Sequence, residues 1–204
     1  MSARQPALAF IDPVQPLSPL RPGTLHRDAR LSDEQPNALY RWTLERRWMP
    51  GEPLLLYVGL NPSTANHLQD DPTVKAWIHF GRSWGFAGYI AVNPIPKRTP
   101  SPILARDWYE KGVNPVERDR ILNLNDCYIR EAAARCSKAV VCWGAAAWLP
   151  SDLIDRLYAT LESAGHKTLY CVGRNADGSP QHFMSRGKNR IRRDAEMQIW
   201  RQAA

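Results

Sequence analysis

The chain has 204 residues, 44% of them hydrophobic, and a formal net charge of +7. This length fits one α/β domain with an attached arm, and the apolar share supplies a sizeable core, which excludes a wholly disordered chain. No apolar run has the length of a transmembrane helix and no secretory signal pattern is found, so we expect a cytoplasmic protein without a membrane partner.

The four cysteines have no metal-binding spacing. They form no CxxC pair and have no histidine at the spacing of zinc ligands. We therefore expect reduced thiols, no metal and no cofactor. The residues concerned are Cys127, Cys136, Cys142 and Cys171.

The positive charge is concentrated in two places. Residues 185–193 contain five basic side chains in nine positions, and Arg41, Arg46 and Arg47 form a second group. Basic clusters of this kind suit a polyanion such as a nucleic-acid backbone. A solvated surface or a basic helix end explains them equally well, and composition leaves both interpretations open.

The chain begins with a segment unlike the rest. Residues 1–36 are rich in proline and poor in periodic apolar pattern, which predicts an extended arm before a single α/β domain over residues 37–204. Residues 38–48 fit a short strand or a helix, and their periodicity favours neither.

The central stretch of the chain is an apolar run that ends in a tight turn. Leu54–Val58 is typical of a strand buried on both faces, as in a parallel sheet. Such sheets bind ligands beyond the carboxyl ends of their strands, which is where Asn61 lies. The alternative is a simple strand-to-helix connection with Ser63 or Thr64 as the N-cap.

Three helices are predicted from apolar periodicity, over residues 74–84, 114–133 and 153–163. Asp71 or Thr73 would cap the first of them, because short polar side chains at this position accept a hydrogen bond from the first helical turn.

Three further strands are predicted, over residues 89–92, at the start of the stretch 139–147 and over residues 168–173. The first of these is followed by Asn93 and a proline, as the central strand is followed by Asn61 and a proline. In a parallel arrangement both asparagines emerge at the same edge. We therefore expect a three-layer α/β/α fold with a short, mainly parallel four-stranded sheet.

Two connections stand out between these elements. Residues 95–102 form a proline-stiffened loop that carries Lys97 and Arg98, and we expect this loop to cross the mouth of the site. The stretch over residues 139–147 is expected to turn at Trp143-Gly144 into a helix of small residues.

Five short motifs occur in order along the chain, namely Leu60–Ala65, Asp70–Thr73, Val92–Asn93, Trp143–Gly144 and Gly178–His182. This set resembles the family known as domain of unknown function 1643. The resemblance extends over roughly residues 38–190. It implies no activity.

A more distant resemblance rests on four segments, Gly59–Pro62, Val92–Pro100, Cys142–Ala145 and Pro180–Ser185. They are similar to the uracil-DNA glycosylase superfamily. Its members place a Gly-x-Asn-Pro or Gly-x-Asp-Pro turn after the first strand and an Asn after a later one. An apolar strand ending in Gly and a His beside the DNA-entering loop then follow. The resemblance implies a uracil-DNA glycosylase-like version of the α/β/α fold.

The resemblance also implies roles for individual residues. Asn61 would hold the attacking water near the anomeric carbon, Asn93 would bind the base edge, and His182 would hydrogen-bond the departing base. Asp71 is a further catalytic candidate, unless its carboxylate only caps a helix. The remaining substrate-binding candidates are Gly59, Leu60, Pro62, Ser63, Trp143 and Gly144.

The DNA-binding candidates follow from the same resemblance and from the charge pattern. Phe183 or Met184 would wedge into the stack that a flipped nucleotide vacates. Cations of the proline-rich loop and of the basic run would contact the phosphates. These candidates are Lys97, Arg98, Ser185, Arg186, Lys188 and Arg190.

The resulting interpretation is a monomeric, monofunctional DNA glycosylase that excises a modified base from double-stranded DNA. Uracil-specific members of the superfamily have a bulky aromatic after the first-motif proline, where this chain has Ser63. We therefore expect a 5-substituted pyrimidine of the kind found in phage DNA, and a role in phage defence. One alternative is a nucleotide or nucleoside hydrolase in which Asp70 or Asp71 binds a metal. Another is a non-catalytic module that binds altered bases.

Overall fold

A computed structural model describes residues 26–33 and 38–203. Across these residues one mixed seven-stranded sheet carries helices on both faces. The strands are β1 (His26–Leu31), β2 (Arg41–Arg47), β3 (Leu54–Val58), β4 (Gly88–Val92), β5 (Lys138–Val141), β6 (Thr168–Cys171) and β7 (Gln198–Gln202). The α-helices are α1 (Pro72–Ser83), α2 (Pro102–Asp107), α3 (Pro115–Ala134) and α4 (Ser151–Ser163).

The sheet has the order β1-β2-β4-β3-β5-β6-β7. Its inner strands β4, β3, β5 and β6 are parallel, and they are the four strands that the sequence predicts. The predicted size of the sheet is wrong, because β1 and β2 extend one side and β7 the other, all antiparallel. These outer strands are rich in charged and polar residues, so they lack the apolar run that identifies the inner ones.

The predicted N-terminal arm contains one of these edge strands. Residues 26–31 form β1 and pair with β2, which places them in the sheet of the domain. Ser32 and Asp33 of the predicted arm are also described. The rest of the arm, residues 1–25 and 34–36, lies outside the described residues. Residues 38–48, which the periodicity left open, contain β2.

The core lies on both faces of the sheet because the inner strands alternate between two apolar layers. Leu54 and Leu56 of β3 pack with α3 and α4 on one face. Leu55 and Tyr57 pack on the other face with α1 and with the chain around Phe183. This arrangement gives the three layers that the sequence predicts.

Three helices begin in the same way, with a capping side chain followed by proline. Asp71, Ser101 and Asn114 each accept a hydrogen bond from a backbone N–H of the first turn. Proline suits the next position because no helical partner is needed there for its missing N–H. Asp71, not Thr73, is therefore the cap of α1. Residues 145–147 are not helical, in contrast to the prediction, and a turn follows at residues 147–148.

None of the helices in the described part of the chain combines the length and the apolar composition needed to cross a membrane.

Candidate functional site

The parallel strands end level with one another and open a pocket at that edge of the sheet. Val58 of β3 pairs with Val92 of β4 and with Val141 of β5, so the residues after each strand emerge side by side. The cavity there, which we call the edge pocket, has a volume of about 330 Å³. Of the predicted catalytic and substrate-binding residues, all except Pro62 line it: Gly59, Leu60, Asn61, Ser63, Asp71, Asn93, Trp143, Gly144 and His182.

A hairpin after β6 brings His182 back to this edge. The backbone of Gln181 donates to the Gly173 carbonyl at 2.9 Å, and Gly144 donates to the Pro180 carbonyl at 3.0 Å. Gly144 has a φ of +81°, a conformation that favours glycine, and a Cβ there would lie 3.1 Å from the Cβ of His182. The turn after β5 and the hairpin after β6 therefore fit together only because residue 144 has no side chain.

The surroundings of His182 fix the position of its proton. Its Nδ1 accepts a hydrogen bond from the backbone N–H of Met184 at 3.1 Å. A backbone N–H only donates, so the neutral ring carries its proton on Nε2. Burial lowers the pKa of His182, and the negative charge of Asp71 opposes this shift. The ring is therefore neutral at pH 7, with an Nε2–H that donates hydrogen bonds.

Asn93 is a buried amide with an unused donor. Its side chain is 2% exposed, and its Nδ2 has no hydrogen-bond partner within the described residues. A Cβ on Gly59 would lie 2.7 Å from its Oδ1, so glycine is required for the close approach. A buried donor left unpaired is costly, so this N–H is suited to a hydrogen-bond acceptor in the edge pocket.

Asn61 is held by the proline-rich loop. Its Nδ2 donates to the carbonyls of Thr99 at 2.7 Å and of Pro62 at 3.0 Å. Its Oδ1 therefore remains as the acceptor that the side chain presents. The Pro62 carbonyl also accepts from the Thr99 N–H, so Pro62 supports the pocket wall without lining it.

Asp71 both caps α1 and lines the edge pocket. Its Oδ1 accepts from the Val74 N–H at 2.9 Å, and its charge acts on His182 and Arg41. Its neighbour Asp70 has a different role, because it forms ion pairs with Arg46 at 2.8 Å and with Arg27 at 3.0 Å. Among the described residues, no three His, Cys, Asp or Glu side chains are grouped to hold a metal ion.

The predicted DNA-entering loop is divided between the core and the surface. Phe183 is buried and packs on Tyr57 and Phe80, with ring centroids 5.5 and 5.0 Å apart, so it is not available as a wedge. Met184 is 42% exposed and retains that possible role. The sequence did not distinguish the two, because an aromatic beside a basic run suits both a core and a DNA contact.

A groove of about 510 Å³ lies along α1 beside this loop. Asp71 and Val74 at the start of α1 line the edge pocket, and residues 75–80 of the same helix contribute to the wall of the groove. We call it the basic groove, and its polar and charged walls are Lys75, His79, Ser185, Arg186, Arg190 and Arg193. The predicted Lys188 is exposed but does not line it.

The two cations of the proline-rich loop do not line the edge pocket. Arg98 donates to the carbonyls of Ala38 at 3.2 Å and of Thr64 at 3.4 Å. The Lys97 ammonium lies 5.9 Å from the ring centroid of Tyr40. The loop itself does border the pocket, as predicted, through Thr99 and Pro100.

Several residues that line the pocket were not among the predicted site residues, and Arg41, Thr99 and Trp77 are three of them. Arg41 begins β2 and Thr99 lies in the proline-rich loop, and both line the pocket. Trp77 was assigned to the core, where it does stack on Tyr57, but it also forms part of the pocket wall. No local signal distinguished Arg41, because β2 is rich in charged residues and the sequence does not show which of them are buried.

Comparison with known proteins places the chain in a family. The family model described as "Protein of unknown function (DUF1643)" matches residues 41–184. The chain belongs to this family. The match contains every residue that lines the edge pocket, while β1, the whole basic run of residues 185–193 and β7 lie outside it. No curated protein and no solved structure matches the chain.

Proposed function

We propose that this member of the DUF1643 family is a monofunctional DNA glycosylase that excises a modified base and leaves an abasic site. The observation that carries the proposal is the convergence of Asn61, Asn93 and His182 in one pocket beside a basic groove. The distant resemblance to the uracil-DNA glycosylase superfamily, and a version of its fold, belong to the same proposal.

The chemistry needs a group that stabilises the departing base. Negative charge develops on the base as its bond to the sugar breaks, and a preorganised donor lowers that barrier. His182 fits this role because its neutral ring has a proton on Nε2. The geometry of Asn93 suits recognition of the base edge, since its buried Nδ2 lacks a partner within the described chain.

The sugar side of the reaction would be served by Asn61 and Asp71. The Oδ1 of Asn61 is the acceptor left after its Nδ2 has bonded two carbonyls, so it suits an attacking water. The sugar becomes oxocarbenium-like in the transition state of glycosidic cleavage, and a nearby carboxylate stabilises that positive charge. Asp71 supplies such a carboxylate in the pocket wall.

The expected substrate is a pyrimidine enlarged at its 5-position in double-stranded DNA. Ser63 lines the pocket and is half-buried, so a small side chain stands where a bulky aromatic would fill the space. A flipped nucleotide would enter the edge pocket while Met184 occupies the vacated stack and the basic groove contacts phosphates. We propose a role in defence against phage DNA with such bases.

A screen of duplex oligonucleotides tests this function. Each duplex carries one 5-substituted pyrimidine, and alkali-labile cleavage after incubation reports an abasic site. We expect cleavage for at least one enlarged base and none for the unmodified duplex. Binding without cleavage across the set would favour a non-catalytic module, and release of base or phosphate from mononucleotides alone would favour a hydrolase.

A further inference from the structure

Arg41 is a buried cation in the wall of the edge pocket. Its side chain is 3% exposed. Its Nη1 donates to the Ala65 carbonyl at 2.7 Å, but its Nε is buried and has no partner among the described residues. Burial lowers the pKa of Arg41 to about 10, which leaves the guanidinium charged at neutral pH.

A second buried arginine shows how this chain otherwise compensates such a charge. Arg46, also on β2, is fully buried and contacts the carboxylate of Asp70 at 2.8 Å. Arg41 forms no comparable ion pair within the described residues, although the charge of Asp71 acts on it at longer range. A buried charge without a direct ionic partner is costly, and an anionic ligand in contact with it would reduce that cost.

The strand order places Arg41 at one end of the pocket. Along the edge, β2, β4, β3, β5 and β6 contribute Arg41, Asn93, Asn61, Trp143 and His182 in that order. Asn93, the residue proposed to bind the base edge, therefore lies between Arg41 and Asn61. With the base edge at Asn93 and the sugar at Asn61, as the proposed function requires, a substituent on the base can reach Arg41 on the side away from Asn61.

We propose that Arg41 binds an anionic oxygen group carried by the substituent of the base, so the preferred substrate is a pyrimidine with an acidic group at its enlarged position. This inference rests on the proposed function, because it uses the orientation that base excision requires. A guanidinium is suited to the task because it presents several N–H donors in one plane to carboxylate or phosphate oxygens.

Binding of free bases tests the inference without requiring catalysis. The probes are 5-carboxyuracil and 5-(hydroxymethyl)uracil, which are similar in size and differ in charge, and the readout is the dissociation constant from calorimetry. We expect the wild-type protein to bind the carboxylated base about tenfold or more tightly. Equal affinities in the wild type would overturn the proposal without any variant.

Variants of Arg41 then identify the residue responsible. Arg41→Gln should bring the two affinities to within about twofold, and Arg41→Lys should keep part of the preference because it keeps the charge. Circular dichroism and thermal melting establish that each variant is folded. A preference that survives in folded Arg41→Gln would contradict the assignment to Arg41.

The same bases placed in duplex DNA separate a substituent from a backbone phosphate. If Arg41 contacts the substituent, Arg41→Gln weakens only the carboxylated duplex, while Arg186→Gln in the basic groove weakens both duplexes equally. If Arg41→Gln weakens both duplexes equally, Arg41 binds a phosphate and the proposal is wrong. Abasic-site formation at a neutral enlarged base with no preference for the acidic one would refute this inference and leave the proposed function standing.

Discussion

At the scale of single residues, Gly59 packs so closely against the side chain of Asn93 that position 59 has no room for a side chain. A Cβ there would lie 2.7 Å from the Asn93 Oδ1 and would displace the amide. We expect Gly59→Ala to weaken binding of the accepted base by about tenfold or more, because the displaced donor no longer meets the base edge. Calorimetric titration of the folded variant measures this effect.

Gly81→Ala is a matched control for that substitution. A Cβ on Gly81 would lie 2.8 Å from the Cη2 of Trp48, a contact as close as that at Gly59 but outside the edge pocket. Gly81→Ala should change thermal stability and leave the dissociation constant within about twofold of wild type. Equal loss of affinity in both variants would mean that the effect is one of general stability.

The lowered pKa of His182 determines how the protein responds to acid. The neutral ring accepts from the Met184 N–H through Nδ1, and protonation destroys that acceptor. Excision should therefore be constant near neutral pH and decline only at pH values below the ordinary histidine pKa of 6.5. Single-turnover rates against pH measure the midpoint, and a midpoint above 6.5 would contradict the burial of the ring.

The lowered pKa of His182 also makes the free energy of unfolding depend on pH. Between the lowered pKa and 6.5, the unfolded chain binds the proton that the folded chain does not. The contribution of His182 to the free energy of unfolding therefore falls as the pH decreases through this window. Substitution by glutamine should remove that part of the pH dependence.

Much of the edge pocket was predictable from residues that follow strands. Asn61 and Asn93 end apolar runs, and parallel strands place such residues at one edge. Arg41 was not predictable, since it belongs to an antiparallel strand that begins at the same edge, and its burial depends on partners far along the chain. Phe183 was predicted to contact DNA but is buried in an aromatic cluster. Its burial was not predictable either, because it depends on tertiary contacts.

At the element scale, the N-terminus of α1 combines a cap with a charge. Asp71 caps the helix and lines the edge pocket, so two substitutions separate its roles. Asp71→Ala removes both functions and should cost about 1 kcal/mol of stability. Asp71→Asn keeps a capping oxygen and should preserve stability while it slows excision by about tenfold or more.

Chemical denaturation and single-turnover kinetics measure the two effects. Asp71→Asn should also lower the pKa of His182 further, because the carboxylate is the charge that opposes the burial shift. Unchanged excision in folded Asp71→Asn would restrict Asp71 to its capping role.

The elements that the sequence predicted well are those with a one-sided or continuous apolar pattern. The inner strands and α1, α3 and α4 all belong to this class. β2 was ambiguous because it buries Arg46 and Glu45, whose charges are compensated by Asp70 and Arg135 on other segments. These two pairings are tertiary contacts, which a local hydrophobic pattern does not reveal.

At the scale of the whole molecule, a group of cations lies in the basic groove along the same helix that borders the edge pocket. Arg186 and Arg190 line the basic groove, whereas the exposed Arg192 forms an ion pair with Asp194 at 2.7 Å. Neutralising Arg186 and Arg190 to glutamine should weaken DNA binding irrespective of sequence. It should also reduce the slope of log affinity against log salt by about one unit for each lost phosphate contact.

Arg192→Gln is the matched control for the groove, since it removes one exposed cation of the same basic run. Its effect on the salt slope should be small, because Asp194 already offsets its charge. Fluorescence anisotropy over a range of salt concentrations gives both slopes. An unchanged slope in the double variant would assign the basic run to a solvated surface.

The central claim is that the edge pocket breaks a bond between a base and its sugar. The most direct measurement is a single-turnover reaction on a duplex with one accepted 5-substituted pyrimidine, in which free base and abasic strand are quantified together by mass spectrometry. We predict equal amounts of the two products, with Asn61→Ala and His182→Ala each slower by about 10²-fold while still folded. Release of a nucleotide in place of the base, or wild-type rates in both folded variants, would contradict the account.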